Sequence, residues 1–348
     1  MDTAPLRVVQ WGTGAVGRGV LRGLLDRPEF ELAGVRVYDP AKQGLDAGTI
    51  IGRGPVGVLA TGDPQEVFDL DADCVVYAPL PGSRYGGDDL ATVCRLLAAG
   101  KNVVSLTGFV YPYARGPEFV ETLEKACVAG GTSVHGTGIS PGFTGEKLPL
   151  VLSGLTRRID HLYVRECFDF AGHPSRSFVR GLAGFGRTEE EYLAMLPWAR
   201  GMMRDLYTES MHLLAAGLRV ELDDVDLDHE RLHAKEDFTI ASGPIARGTV
   251  AADRWTLTGR VGGVPMITIE VAHKADARRI DAWYEPGYAL RIQGSPSMAL
   301  SLGEDWLTNG VTAAAGHALN SVAAVCAAPP GIRTSLDLPL LPGRFAEP

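Results

Sequence analysis

The sequence is poor in the residues that mark metal sites, disulfide scaffolds and nucleic-acid binders, and each shortage closes off a class of function. Cys74, Cys94, Cys127, Cys167 and Cys326 are odd in number, widely spaced and never form a C-x-x-C pair, so free thiols are expected rather than a disulfide framework or thiolate metal site. His135, His161 and His317 are read as structural or surface residues, and no metal is expected. Lys and Arg number 33 against 42 Asp and Glu, a formal net charge of -9, which argues against nucleic acid or an anionic membrane as partner. No basic flank with a long apolar run opens the chain, so neither a signal peptide nor a membrane span is read, and a cytoplasmic protein is expected. Repeats and low-complexity segments are also missing.

What is present has the character of a globular enzyme. Hydrophobic residues make up 45% and charged residues 22% of 348, ordinary for a folded protein, and the length suggests two domains. The organising stretch is the first twenty residues. Leu6-Arg7-Val8-Val9-Gln10-Trp11 reads as an apolar strand, followed at once by Gly12-Thr13-Gly14-Ala15-Val16-Gly17 in a G-x-G-x-x-G arrangement. Val16, Val20, Leu21, Leu24 and Leu25 then share one helical face, and residues 32–37 supply a second strand. In such a unit the first glycine allows a tight turn, the second lets backbone approach a pyrophosphate, and the third lets helix pack on strand. An ordinary turn is the competing reading; the position between strand and helix favours a dinucleotide site.

The alternation continues. Residues 56–60 read as a strand, and Asp63, Pro64 and Glu66 as the start of a helix. The apolar run Cys74-Val75-Val76-Tyr77-Ala78 reads as a buried parallel strand. Residues 88–99 form a helix, 102–105 a strand, 117–129 a helix and 132–135 a strand. The expected fold is a doubly wound parallel Rossmann sheet of about six strands, covering residues 1–143 and completed by 304–348. Three loops should leave the carboxyl ends of its strands, 78–87, 106–116 and 136–144, and line the site. They bring Ala78, Pro79, Thr107, Gly108, Gly138 and Pro141 forward as cofactor-binding candidates beside Gly12, Thr13, Gly14, Ala15, Val16 and Gly17.

From Thr144 the character changes. Residues 159–170 suggest a strand, and Thr188 with Glu191 forms a capping box ahead of a long helix towards Gly217. Alternating segments follow at 238–240, 248–261, 265–273 and 288–293, with Gly262-Gly263 as a hairpin turn. A second α+β domain over 144–303, built on an open and mostly antiparallel sheet, is the expectation for substrate binding and dimerisation. An alanine-rich helix at 311–326 should return to the first domain.

Cofactor choice is read after the second strand. Arg36 and Lys42 suit a 2′-phosphate, whereas Asp39 is close enough to argue for a ribose hydroxyl. The reading leans to NADP, with NAD open.

The N-terminal unit, Asp46-Ala47-Gly48 and the two-domain division resemble dihydrodipicolinate reductase. Gly136-Thr137-Gly138-Ile139-Ser140-Pro141-Gly142-Phe143 is similar to the G-T-G-x-x-P-G-F loop of the diaminopentanoate dehydrogenase and amine dehydrogenase branch. The stretches 35–42 and 336–343 look like that branch as well. The sequence departs from dihydrodipicolinate reductase in lacking adjacent histidines and a K-D-x-P-S-G-T segment, which disfavours lysine biosynthesis. It departs from the branch in the loop after the fifth strand, where the resemblance implies a carboxylate for the amino group. Here that loop reads Leu106-Thr107-Gly108-Phe109-Val110-Tyr111-Pro112, with none before Glu118.

The resemblance implies hydride transfer between a nicotinamide and a small imine, amine or ketone, by a homodimer. Tyr111, Glu166 and His173 are the candidates for proton handling, with Asp169 near them. Arg165 and Arg176 could pair with these carboxylates or clamp a substrate carboxylate, the pairing being the better supported reading. Trp198, Trp283 and Trp306 could line an apolar pocket or sit in a core. A carbonyl reductase or hydroxy-compound dehydrogenase is the first alternative. A dinucleotide-binding regulator without turnover is the second, kept open by the loop without a carboxylate.

Overall fold

The structure is a computed structural model describing residues 4–80 and 88–344. It divides into two compact units, Met1–Phe143 with Gly310–Pro348, and Thr144–Asn309. The chain runs through β1 (Leu6–Trp11), α1 (Ala15–Asp26), β2 (Phe30–Arg36), α2 (Ala47–Ile50), β3 (Ala60–Thr61), α3 (Pro64–Asp69), β4 (Cys74–Tyr77), α4 (Asp89–Ala98), β5 (Asn102–Ser105), α5 (Pro117–Gly130) and β6 (Ser133–Gly136). The second unit holds α6 (Leu148–Ser153), β7 (Arg158–Asp169), α7 (Arg176–Val179), α8 (Glu189–Leu218), β8 (Asp224–His233), β9 (Phe238–Ile240), β10 (Gly243–Ile245), β11 (Val250–Val261), β12 (Val264–Lys274), β13 (Gly287–Ser295), β14 (Met298–Leu302) and α9 (Glu304–Thr308). α10 (Gly310–Ala327) and β15 (Gly331–Ile332) return to the first.

The first unit is a parallel sheet in the order β15-β6-β5-β4-β1-β2-β3. Successive side chains of β1 point to opposite faces: Val8 joins one apolar cluster with α1 and α10, Val9 and Trp11 the other with α4 and α5. All four residues of β4 are buried, as a central parallel strand requires. The order reverses at β1, with β2 on one side and β4 on the other, and the crevice at the carboxyl ends of such a reversal is where these sheets take ligands. α10 is long and apolar enough to cross a membrane by length and composition. Its Ala315, Ala318, Leu319, Val322 and Val325 are buried in the same cluster as Val20, Leu21 and Leu24 of α1. A Cβ on Gly23 would stand 2.2 Å from the Leu319 side chain, so the glycine lets the two helices meet.

Two expectations need correction. The strand read at 56–60 is reduced to Ala60 and Thr61, because the Asp46 carboxylate accepts the backbone N–H groups of Gly48 at 2.8 Å, Val56 at 2.9 Å and Gly57 at 2.8 Å and holds that stretch as a loop. The sheet has seven strands rather than six, since β15 pairs with β6 from far down the chain, a contact that local pattern does not announce. Residues 81–87 of the 78–87 loop lie outside the described residues.

The second unit is a sheet in the order β14-β13-β7-β12-β11-β8, antiparallel except between β7 and β12. The capping box is present: Thr188 Oγ1 accepts from Glu191 N while Glu191 accepts from Thr188 N, and the helix it starts runs thirty residues. α8 lays Ala199, Met203, Tyr207, Met211 and Leu214 on Leu162 and Val164 of β7, Ile267, Ile269 and Val271 of β12, and Trp255 and Leu257 of β11. A hairpin of β9 and β10 stands apart.

Candidate functional site

The turn after β1 is built by exclusion of side chains. Gly12 has φ +93°, and a Cβ there would stand 2.8 Å from Ala78 O; a Cβ on Gly17 would stand 2.0 Å from Gly12 O. Backbone therefore closes on backbone between β1, β4 and α1. Gly14 differs, for a Cβ there would meet nothing within 4 Å. It is the N-cap of α1 and provides no side-chain cap, which leaves the first-turn N–H groups and the positive end of the helix dipole open beside empty space. These are the features that a pyrophosphate needs, and the residues present fit a nicotinamide dinucleotide.

At the end of β2 the cationic candidates separate. Lys42 Nζ donates to Thr13 O at 3.1 Å and lies 3.4 Å from Thr13 Oγ1, so it braces the turn. Asp39 caps the 3-10 turn Pro40–Lys42 by accepting from Ala41 N at 3.0 Å. Arg36 is 9% exposed, with its guanidinium 4.7 Å from the Tyr38 ring centroid and 5.7 Å from that of Trp11. Its Nε and Nη1 are buried with no hydrogen-bond partner among the described residues, and burial pulls its pKa down. Buried N–H donors left open are costly, and a phosphate oxygen is the acceptor they suit.

The loop after β5 places Thr107 Oγ1 as donor to Pro79 O at 2.8 Å. Gly108 and Phe109 both take positive φ, +73° and +65°. Phe109 is buried against Phe119, 5.8 Å between centroids. Tyr111 stacks edge-on with Tyr113 at 5.3 Å, and its phenol is pushed up by burial and by Asp337. The turn before the second unit is equally tight: a Cβ on Gly138 would stand 2.7 Å from Pro141 O, and the Ser140–Pro141 bond is cis.

In the second unit Glu166 and His173 lie apart in character. Glu166 is 1% exposed on the α8 side of β7, opposite Tyr288 of β13. Thr144 Oγ1 donates to Glu166 Oε1 at 2.9 Å, and Tyr288 Oη donates to Thr144 O at 2.6 Å. Burial, then Glu166 and Glu146, push the Tyr288 phenol up. His173 stands beyond the strand, stacked on Phe178 at 4.6 Å and edge-on to Phe170 at 5.9 Å, and its Nδ1 accepts from Ser175 N at 3.2 Å. Burial lowers its pKa. Asp169 falls on the other side of the pleat from Glu166 and accepts from Ala171 N, so the expected grouping of Glu166, Asp169 and His173 does not form. Trp198 and Trp306 pack against the cluster under α8 and Trp283 against another.

Sequence reasoning misses a second polar group on the same face of that sheet. Asp253, with 4% of its side chain exposed, accepts from His273 Nδ1 at 2.7 Å, Trp255 Nε1 at 3.1 Å and Tyr192 Oη at 3.2 Å. Tyr192 Oη also lies 2.9 Å from His229 Nε2. It misses one motif too. His229-Glu230-Arg231-Leu232-His233 has the H-E-x-x-H spacing of zinc sites. It lies on strand β8, where two residues four apart are roughly 13 Å from each other, and His233 is engaged by Glu189 at 2.9 Å. Among the described residues no group of three or more His, Cys, Asp or Glu could hold a metal ion.

A glycine turn at the reversal of a parallel sheet, followed by a sheet unit with a buried polar face, defines a Rossmann-type oxidoreductase. Residues 143–346 match the family described as 2,4-diaminopentanoate dehydrogenase C-terminal domain, and the chain belongs to it. It is 30% identical over 354 residues to an amine dehydrogenase of Streptomyces virginiae, covering 97% of each chain. It is 23% identical over 348 residues to a 2,4-diaminopentanoate dehydrogenase of Acetoanaerobium sticklandii, covering 96% of this chain and 94% of that one. The fold is that of an amine dehydrogenase structure from Mycobacterium smegmatis, with a TM-score of 0.81, 24% identity and 97% of each chain covered.

Proposed function

We propose that the protein is an NAD(P)-dependent dehydrogenase interconverting a small primary amine with the corresponding ketone and ammonia. The observation that carries the reading is the uncapped first turn of α1 beside Gly14, on a turn closed by Gly12 and Gly17. The choice of amine chemistry rests on the amine dehydrogenase relative aligned along the full chain. When bound, the dinucleotide supplies or accepts the hydride. The chain's residues bind and orient: Gly12 to Gly17 take the pyrophosphate, Ala78, Pro79, Thr107, Gly108, Gly138 and Pro141 border the nicotinamide, and Arg36 takes a 2′-phosphate, which favours NADPH. Glu166, fixed by Thr144, receives the substrate's amino group in place of a carboxylate in the 106–112 loop. Homodimerisation through the six-stranded sheet is part of the reading. Its ground is that the face away from α8 carries a network in which Tyr163 and Tyr284 both donate to Glu270 Oε2.

A second reading, a dinucleotide-binding regulator, is favoured by one observation: buried Phe109 occupies the loop where a catalytic carboxylate is expected. Fluorescence titration with NADPH and NADH, then turnover with ketones in the presence and absence of ammonia, separates the two. Ammonia-dependent oxidation of NADPH supports the amine reading; turnover without ammonia points to a carbonyl reductase. Tight binding with no turnover across the panel supports the regulator.

A further inference from the structure

The carboxylate of Asp253 accepts three side-chain hydrogen bonds on the α8 face of the second sheet. Its two oxygens divide their work: Oδ2 takes the indole N–H of Trp255 and the hydroxyl of Tyr192, and Oδ1 takes, among the described residues, the imidazole of His273 alone. The register explains the arrangement. Asp253 and His273 are directly opposite on antiparallel β11 and β12, and His273 is in turn opposite Phe168 on β7. With Tyr192 and Trp255 both donating to the carboxylate, Nδ1 of His273 is assigned the proton of that bond, which leaves the lone pair on Nε2. The ring packs against a pair of neighbouring aromatic rings, 5.6 Å from Phe168 and 5.5 Å from Phe170, which lie 6.4 Å from each other. Nε2 makes no hydrogen bond among the described residues, and the side chain keeps 17% of its surface exposed. A histidine serving only to satisfy Asp253 needs neither the stacking nor a free nitrogen facing outward. A base oriented by a buried carboxylate needs both.

We propose that His273 is the general acid–base residue of the amine–ketone interconversion and that Asp253 positions it, an inference that rests on the reading above. In the direction of amine synthesis, ammonia adds to the ketone carbon and gives a carbinolamine. The His273 imidazolium then passes its Nε2 proton to the carbinolamine hydroxyl, the C–O bond breaks, water leaves, and the nitrogen lone pair forms the C=N bond of an iminium ion. His273 is left neutral and the positive charge has moved to the substrate. Hydride addition at the iminium carbon gives the neutral amine, and His273 regains a proton from solvent. In the reverse direction neutral His273 takes the proton from the attacking water. Tyr192, bonded to Asp253 and His229, holds the carboxylate from the α8 side.

The test uses the full-length protein with NADPH, ammonia and a ketone that the wild type turns over. His273→Gln should lower kcat by at least ~100-fold, the range general acid–base catalysis supplies, with the NADPH dissociation constant unchanged within about twofold. His273→Ala should regain part of the lost kcat on addition of free imidazole, which a structural loss does not allow. Asp253→Asn should lower kcat while the KM for the ketone stays within about threefold. Trp255→Phe, a milder change, should cause a smaller loss in the same direction if Asp253→Asn fails to fold. An active wild type whose His273→Gln variant keeps kcat within about threefold, or a His273→Ala variant indifferent to imidazole, overturns this inference alone. A wild type inert across the whole ketone panel overturns the amine reading and this inference with it.

Discussion

The two units prepare for a ligand by opposite means. The first uses backbone and the absence of side chains: Gly12 and Gly17 press main chain against main chain, and Gly14 leaves space at a helix end. The second uses buried side chains far apart in sequence: Glu166 with Thr144 from the turn ahead of α6, and Asp253 with His273 through strand register. A backbone site depends on residues adjacent in sequence, so its failure modes are steric and local. A cross-strand site depends on partners 20 or more positions apart, so its failure modes are electrostatic and shared.

The sharpest way to break that comparison is to add one methyl group at two neighbouring glycines. Gly17→Ala puts a Cβ 2.0 Å from Gly12 O, and the turn must move; a loss above about 3 kcal/mol of stability is expected, together with loss of NADPH binding. Gly14→Ala meets nothing within 4 Å, so the melting temperature should stay within about 2 °C while NADPH binding weakens by at least about 30-fold, because the methyl fills the space the pyrophosphate needs. Thermal melts with fluorescence titration read both. Undisturbed binding in Gly14→Ala would remove the backbone account of the first unit.

Arg36 tests a side chain of the first unit that the proposed reading gives to the 2′-phosphate. Arg36→Gln should weaken NADPH by about 10- to 100-fold, the size of a charge-assisted hydrogen bond or two, and NADH by less than about threefold. Equal effects on both would mean that the buried guanidinium serves the Trp11 and Tyr38 rings instead.

The order of legibility follows the same division. The G-x-G-x-x-G turn, the apolar run of β4 and the Thr188 capping box are read from contiguous residues, and β5 falls at the expected 102–105. Asp46 defeats the reading of 56–60 because a carboxylate ten residues away captures the N–H groups a strand would have used. His273 was legible as a strand residue and nothing more; its partner Asp253 lies across a hairpin, and only the register with a bulge at Gly259 and Arg260 brings the two opposite. His173 is a sequence candidate because it stands near Glu166, but alternation and the turn after β7 direct it to Phe178. Arg36 and Lys42 were equal as charges, and the structure separates them through the bond Lys42 makes to Thr13.

Acid should strain the second unit first. Burial lowers His229 to about 4 from its ordinary 6.5, so on acidification the unfolded chain takes up the proton before the folded one. Its contribution is whole above about pH 6.5 and is lost as pH falls towards about 4. With partial exposure discounted, about 1–2 kcal/mol is expected. Glu189, held down to about 2 by Arg231 first and His233 second, contributes above about pH 4.5 and loses that only as pH falls towards about 2, so the two windows separate. Urea midpoints at pH 7.5 and 4.5 should differ in the wild type and draw together in His229→Gln. An unchanged difference in the variant would assign the acid sensitivity elsewhere.

The smallest expected effect asks whether the Glu166 group belongs to the core or to the site. Tyr288→Phe removes one hydroxyl that donates to Thr144 O at 2.6 Å, and an intramolecular hydrogen bond of this kind is worth about 1 kcal/mol net. Tyr288 is 1% exposed, so the ring keeps its packing on the α8 face and the change is confined to the hydroxyl. If Thr144 merely closes a turn, the unfolding free energy read from urea melts falls by that amount and turnover is unaffected. If Thr144 holds Glu166 for the substrate's amino group, the KM for the amine should rise about three- to tenfold while the NADPH dissociation constant stays fixed, because the hydroxyl acts on the carboxylate through Thr144 and not on the glycine turn. The split between KM and stability decides between them, since a purely structural hydroxyl has no route to the amine that does not also lower the unfolding free energy by more than one hydrogen bond.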